Sequence, residues 1–184
     1  ARMERDGLVS VHPDRHLVLS PKGLELATRV MRRHRLAERL LIDVIGLEWP
    51  LVHEEACRWE HVISTDVERR LVSILDHPVR SPYGNPIPAL EELGVEPASE
   101  TFLDGAELLS LRLADGEPHQ VVVRRMSEAI QNDPTLLAAI QAAGALPGVP
   151  VRAVLVGHRL VLGDGDAEAV LPTVVAEHIF VADD

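Results

Sequence analysis

One short segment divides this chain into two kinds of pattern. Ser81-Pro82-Tyr83-Gly84-Asn85-Pro86-Ile87-Pro88 holds three prolines and a glycine, and such a density of locked φ angles and missing N–H donors reads as a fixed irregular loop. Before it, apolar residues return at helical spacing. After it, they fall in short runs separated by glycine turns. The chain is therefore expected to be α+β, with helices first, a small β-barrel afterwards and a domain boundary near residue 97.

At the N-terminal end, residues 7–12 and 16–19 alternate as two strands around the Pro13-Asp14 turn, a hairpin. Ser20-Pro21 is a helix start, with serine as cap and proline in the first turn. A long helix should run from there to about Val44 and stop at Gly46, burying a stripe that includes Leu26, Val30, Leu36, Leu40 and Leu41. Beyond Trp49-Pro50, a second helix is predicted over 51–63, and a third, opened by a Thr65-x-x-Glu68 capping box, to about Leu75. In the second half, strands are predicted over 120–123, 151–156, 159–162, 168–171 and 178–181, with one helix over 134–143.

Composition narrows the classes of function. With 184 residues and 46% hydrophobic content, the chain can bury one good core or two small ones. It shows no uninterrupted apolar run of about eighteen residues and no signal-peptide pattern, so a cytoplasmic protein without a membrane partner is expected. Its one cysteine, Cys57, cannot form an internal disulfide and fits a reducing compartment. The net charge of -11 opposes wholesale binding of nucleic acid. Arg2, Arg5, Arg15, Lys22, Arg29, Arg32, Arg33, Arg35 and Arg39 all precede residue 40, so any such contact belongs at that end. The alternative reading of these residues is a solvated basic helix face.

The chemistry concentrates on the second helix. At about 100° per residue, His53, Cys57, Glu60 and His61 fall within about a quarter-turn arc, and His34 and Glu38 lie one turn apart on the long helix. Imidazole, thiol and carboxylate withdrawn from water need compensation, and a metal ion provides it; a polar seam satisfied by its own hydrogen bonds, with Cys57 as a small core residue, is the alternative. His53 and His61 stand about 12 Å apart along a helix, too far to share one ion. Two sites are therefore expected, one joining His53 to His34 and Glu38, the other holding Cys57, Glu60 and His61. The Cys-Glu-His set suits Fe(II), Co(II), Ni(II) or Zn(II) better than Mg or Ca.

These residues carry a resemblance. Arg2-Met3-Glu4-Arg5-Asp6-Gly7-Leu8, the text from Met31 to Leu41 and from His53 to Val62, Val67-Glu68-Arg69-Arg70-Leu71 and the loop 81–88 resemble the iron-dependent repressors of the diphtheria toxin repressor family. The likeness is ungapped to about residue 95 and loose beyond. It implies an ancillary site at His34, Glu38 and His53 and a primary, activating site at Cys57, Glu60 and His61. It further implies an SH3-like domain over 98–184 lending Glu128 and Gln131 to the ancillary site, an anion pocket at Arg35, Ser81 and Asn85, and a helical metal-binding and dimerisation domain over 21–97 with Trp59 at the dimer surface. Residues 1–20 would be the end of a recognition helix and the wing of a winged helix-turn-helix whose remaining helices precede this sequence. The function so implied is Fe2+-activated repression of iron homeostasis genes by a homodimer bound to operator DNA, with Co2+, Ni2+, Mn2+ or Zn2+ able to substitute. A manganese- or zinc-responsive regulator of the same fold is the alternative. A metallohydrolase is a weaker reading, because no separate general base stands in a recognisable arrangement. A barrel binding proline-rich peptides is opposed by an aromatic content of 3%.

Overall fold

The computed structural model describes residues 2–96 and 105–182; the expected boundary near residue 97 therefore lies at the edge of residues outside that description. A short helix α1 (Arg2–Arg5) leads into the hairpin β1 (Val9–Val11) and β2 (Leu17–Leu19). Next come the long helix α2 (Pro21–Leu40), α3 (Val52–Trp59) and α4 (Thr65–Ile74).

Local chemistry sets each boundary. The Ser20 hydroxyl accepts the Gly23 N–H at 3.0 Å and donates to the Gly7 carbonyl at 2.7 Å, so one residue caps α2 and ties it to the hairpin. A Cβ on Gly23 would sit 2.0 Å from the Leu8 carbonyl oxygen, which is why glycine stands where helix and hairpin meet. Leu41–Ile45 winds more widely, as a π turn, before Gly46 ends the helix at φ +76°.

Helix α3 is shorter than the 51–63 expected from periodicity. Its last residue is Trp59, because the chain must reverse to bury Ile63 and present Ser64 as the extended cap of α4, whose hydroxyl accepts the Val67 N–H at 3.3 Å. The cap expected at Thr65 is thus Ser64, and with Val67 three residues on there is no reciprocal capping box. Glu68 turns inward instead and meets Arg32, 1% exposed, at 2.8 Å.

The second half is a six-stranded antiparallel sheet, ordered β3-β8-β4-β5-β6-β7, of the SH3-like kind. Its strands are β3 (Glu107–Leu108), β4 (His119–Met126), β5 (Pro150–Val156), β6 (Arg159–Leu162), β7 (Ala169–Pro172) and β8 (Ile179–Ala182). Alternate residues Val121, Val123, Val151, Ala153, Leu160, Leu162, Ile179 and Val181 bury one face. Three short helices interrupt it: α5 (Leu109–Arg112), α6 (Glu128–Gln131) and α7 (Pro134–Ala142), the last adding Leu137 and Ile140 to the core.

The proline-rich loop joins the two halves. The buried Tyr83 hydroxyl donates to the Trp49 carbonyl at 2.9 Å and its carbonyl accepts the Met126 N–H at 3.0 Å. Asn85 Nδ2 donates to the Met126 carbonyl at 2.7 Å. Gly84, at φ +82°, lies so close to β4 that a Cβ would stand 2.0 Å from the Arg124 carbonyl oxygen.

Candidate metal centre

The centre is built where α2 faces α3. His34 and Glu38, one turn apart on α2, are both buried because that face packs against α3, which brings His53, also buried, and Cys57, a free and exposed thiol. The turn after α3 adds Glu60. His34 Nε2 lies 2.8 Å from Glu38 Oε1 and 3.1 Å from His53 Nδ1, while His34 Nδ1 lies 2.8 Å from Glu60 Oε2. His53 Nδ1 is 3.3 Å from Glu38 Oε1, and its other nitrogen, Nε2, is 3.7 Å from Cys57 Sγ. The donors form one continuous chain, Glu60–His34–Glu38–His53–Cys57. Ligand atoms of His34, His53 and Cys57 all lie within 4.8 Å of one another. The ring of Tyr83 closes one wall, edge-on to His53 at 6.4 Å.

Electrostatics follow from this packing. Burial opposes charge on the His34 ring, but hydrogen bonds and charges from Glu38 and Glu60 outweigh it and hold its pKa above the ordinary value. Burial pushes the Glu38 carboxyl up, and the two imidazoles more than reverse that, leaving it below the ordinary range. For Cys57, partial burial and then the charges of Glu60, Glu38 and Glu54 push the thiol up. In the metal-free chain the imidazoles balance the carboxylates, and a set of imidazole, carboxylate and thiol donors fits a divalent cation in their midst.

The remaining expected site residues are placed differently. His61 is 69% exposed on the turn beyond α3, with Nε2 3.2 Å from Glu60 Oε1, so it touches the cluster only through Glu60. Its angular position on a continuing helix does not exist, since α3 has already ended. Glu128 is held by an ion pair with Arg35, and the buried Gln131 donates its amide to the Met126 carbonyl at 2.8 Å. Their segment is a helical turn. Arg35 also donates to the Pro86 carbonyl, the Ser81 hydroxyl accepts the Tyr83 N–H at 3.2 Å, and Asn85 is bonded to Met126. Arg35 and Asn85 join the loop to its surroundings, and Ser81 bonds within the loop itself. Trp59 is half-buried and donates to Glu55 at 2.8 Å.

Much of the basic run on α2 is likewise engaged within the molecule. Arg29 pairs with Glu25 and Glu92, Arg32 with Glu68 and Glu92, Arg35 with Glu128, and Arg39 with Asp43. Arg32 and Arg35 are thereby drawn largely out of solvent, whereas Arg29 and Arg39 stay in partly exposed surface pairs. The buried Arg32–Glu68 pair was not legible in sequence, its partners being separated by three dozen residues with no spacing rule between them.

A helical unit with a mixed imidazole, carboxylate and thiol cluster, followed by an SH3-like sheet, defines a class of metal-binding regulators, and the comparisons agree. The family described as iron dependent repressor, metal binding and dimerisation domain matches residues 20–89. The iron-dependent repressor IdeR of Mycobacterium leprae is 47% identical over 184 residues, 98% of this chain and 79% of that protein. IdeR of Mycobacterium tuberculosis is 57% identical over 152 residues, 82% of this chain and 65% of that protein, so the chain spans somewhat under two thirds of it. Among solved structures, a manganese-dependent transcriptional repressor in complex with manganese superposes with a TM-score of 0.75 at 26% identity, covering 100% of this chain and 81% of that one. IdeR of T. acidophilum gives 0.72 at 26% identity over 100% and 79% of the two chains. The chain belongs to the iron-dependent repressor family, that of the diphtheria toxin repressor. These relatives are named as repressors, not as enzymes. Among the described residues, no helix is long and apolar enough to cross a membrane.

Proposed function

We propose that this chain is the sensing part of a cytoplasmic, Fe2+-activated transcriptional repressor that binds operator DNA as a homodimer. The observation that carries the reading is the convergence of the buried His34, Glu38 and His53 with the exposed thiol of Cys57 on one seam between two helices, with Glu60 closing its end. The donor chemistry fits a borderline divalent ion: two imidazoles, two carboxylates and one thiol are suited to Fe2+, Co2+, Ni2+ or Zn2+. In the proposed division, His34, Glu38 and His53 hold one ion, with Glu128 and Gln131 recruited when Arg35 and the Met126 carbonyl release them. Cys57, Glu60 and His61 hold the other.

When bound, a divalent cation supplies a positive charge that favours thiolate and neutral imidazole and draws α2, α3 and the following turn together. The protein's own residues do the rest. Glu60 leaves His34 to serve the second site, and that exchange distinguishes the two helix arrangements. DNA that prefers the same arrangement is then bound more tightly, and each ligand raises the affinity of the other. Trp59 and the exposed apolar residues Val44, Ile45, Leu51, Val62 and Ile74 supply the shared surface of the homodimer. A manganese response is the second reading, favoured by the manganese-dependent neighbour; the thiol of Cys57 weighs towards iron.

The test is selection from a randomised duplex pool, with and without Fe(II), by a chain of the relatives' full length. Enrichment of a palindrome only with metal is expected, abolished by Cys57→Ala and weakened by His34→Ala. Equal enrichment in both conditions would remove the switch.

A further inference from the structure

The tip of the β1–β2 hairpin, His12-Pro13-Asp14-Arg15-His16, takes no part in the centre between α2 and α3. It is nonetheless a built cluster. The Arg15 N–H donates to the His12 carbonyl at 2.8 Å, the His12 N–H donates to the His16 carbonyl at 2.9 Å, and Arg15 sits at φ +75°. This closure stacks the two imidazoles, with centroids 4.5 Å apart and planes within 21° of parallel. Asp14 lies against both rings. Its Oδ1 is 2.9 Å from His12 Nδ1, contacts His16 Nδ1, and accepts the His16 N–H at 3.3 Å.

Two imidazole nitrogens facing one carboxylate oxygen offer a complete tridentate set: ligand atoms of His12, Asp14 and His16 all lie within 4.8 Å of one another. In the metal-free form, an Nδ1 hydrogen bond from each ring satisfies the carboxylate; replacing those protons by one cation leaves all three groups partnered. The closed turn has already fixed the backbone, so little ordering remains at binding. All three side chains are more than half exposed, which leaves coordination positions for water or a phosphate oxygen.

We propose that the hairpin tip is a third, surface site for a divalent transition ion, held by His12, Asp14 and His16. Its two nitrogens and one oxygen, without sulfur, prefer Cu2+, Ni2+ or Zn2+ to Fe2+ and Mn2+, and discriminate against Mg2+ and Ca2+. The site shares Ni2+ and Zn2+ with the centre that contains Cys57 but lacks its thiol, and it stands whether or not that centre regulates DNA binding.

The probe is Ni2+, titrated into the metal-free, untagged chain by calorimetry and followed by NMR of the histidine rings. The first ring signals to broaden at substoichiometric Ni2+ should include those of His12 and His16, and Cys57→Ala should leave that broadening intact. His12→Ala/His16→Ala should lose one equivalent of bound Ni2+ while keeping the parent's far-ultraviolet circular dichroism. Asp14→Ala, a single surface change, should lose the same equivalent should the double variant misfold. Unchanged stoichiometry in Asp14→Ala, or broadening confined to His34 and His53, would overturn the site.

Discussion

Glu38 is a carboxylate almost wholly removed from water, and it is held in its charged form because His34 and His53 face it. For the metal-free chain the two shifts work on opposite sides of a pH window. His34, raised above its ordinary 6.5, contributes stability that is complete below 6.5 and is lost as pH climbs through the raised value. Glu38, lowered from 4.5, contributes stability that is complete above 4.5 and is lost as pH falls through the lowered value. The urea midpoint of the metal-free chain should therefore be highest between those ordinary values, and His34→Gln should flatten the decline on the alkaline side. Metal affinity should run the other way and rise with pH, because ligation needs neutral rings and a thiolate. At the same scale, Arg32→Met leaves Glu68 buried and without its nearest partner, which should cost about 3–5 kcal/mol in urea unfolding. Glu68→Leu added to Arg32→Met should recover most of that loss. The ligand types were legible because His, Cys and Glu crowd one helical arc; the departure of His61 was not, since periodicity carries no information on where a helix stops.

Elements were easiest to read where they carry punctuation. Ser20-Pro21 opens α2 and Gly46 closes the π turn that follows it, and the β5–β6 hairpin turns at Gly157 and His158 between two apolar runs. Strand β3 is only a pair of residues, too short for alternation to register, and Glu128–Gln131 is a single helical turn, too short for a helical period to show. Two changes test the junctions. Ser64→Ala removes the cap of α4 and should cost about 1 kcal/mol. Gly23→Ala places a methyl against the Leu8 carbonyl, where only backbone can yield, so the hairpin should lift from α2. Hydrogen exchange should then quicken at the paired amides of β1 and β2 while those of α4 are unchanged.

At the scale of the whole molecule, the proline-rich loop is the hinge of the architecture, and its composition announced a rigid connector without saying what it would touch. Tyr83, Asn85 and Gly84 between them bond or abut Trp49 and the strand end at Met126. Gly84→Ala meets both a positive φ and the Arg124 carbonyl, so it should loosen the sheet from the helices; limited proteolysis should then cut faster between the halves than within either. Helix α2 links the hairpin to the seam. One end is clamped to the hairpin through Gly23, and eleven residues on, about 17 Å at the usual rise, it offers His34 to the seam. A rod of that length, pivoted near the seam by about 5°, carries its far end through about 1.5 Å. Small rearrangements among imidazoles and carboxylates would thus reach the hairpin as displacement, delivered by a single stiff lever.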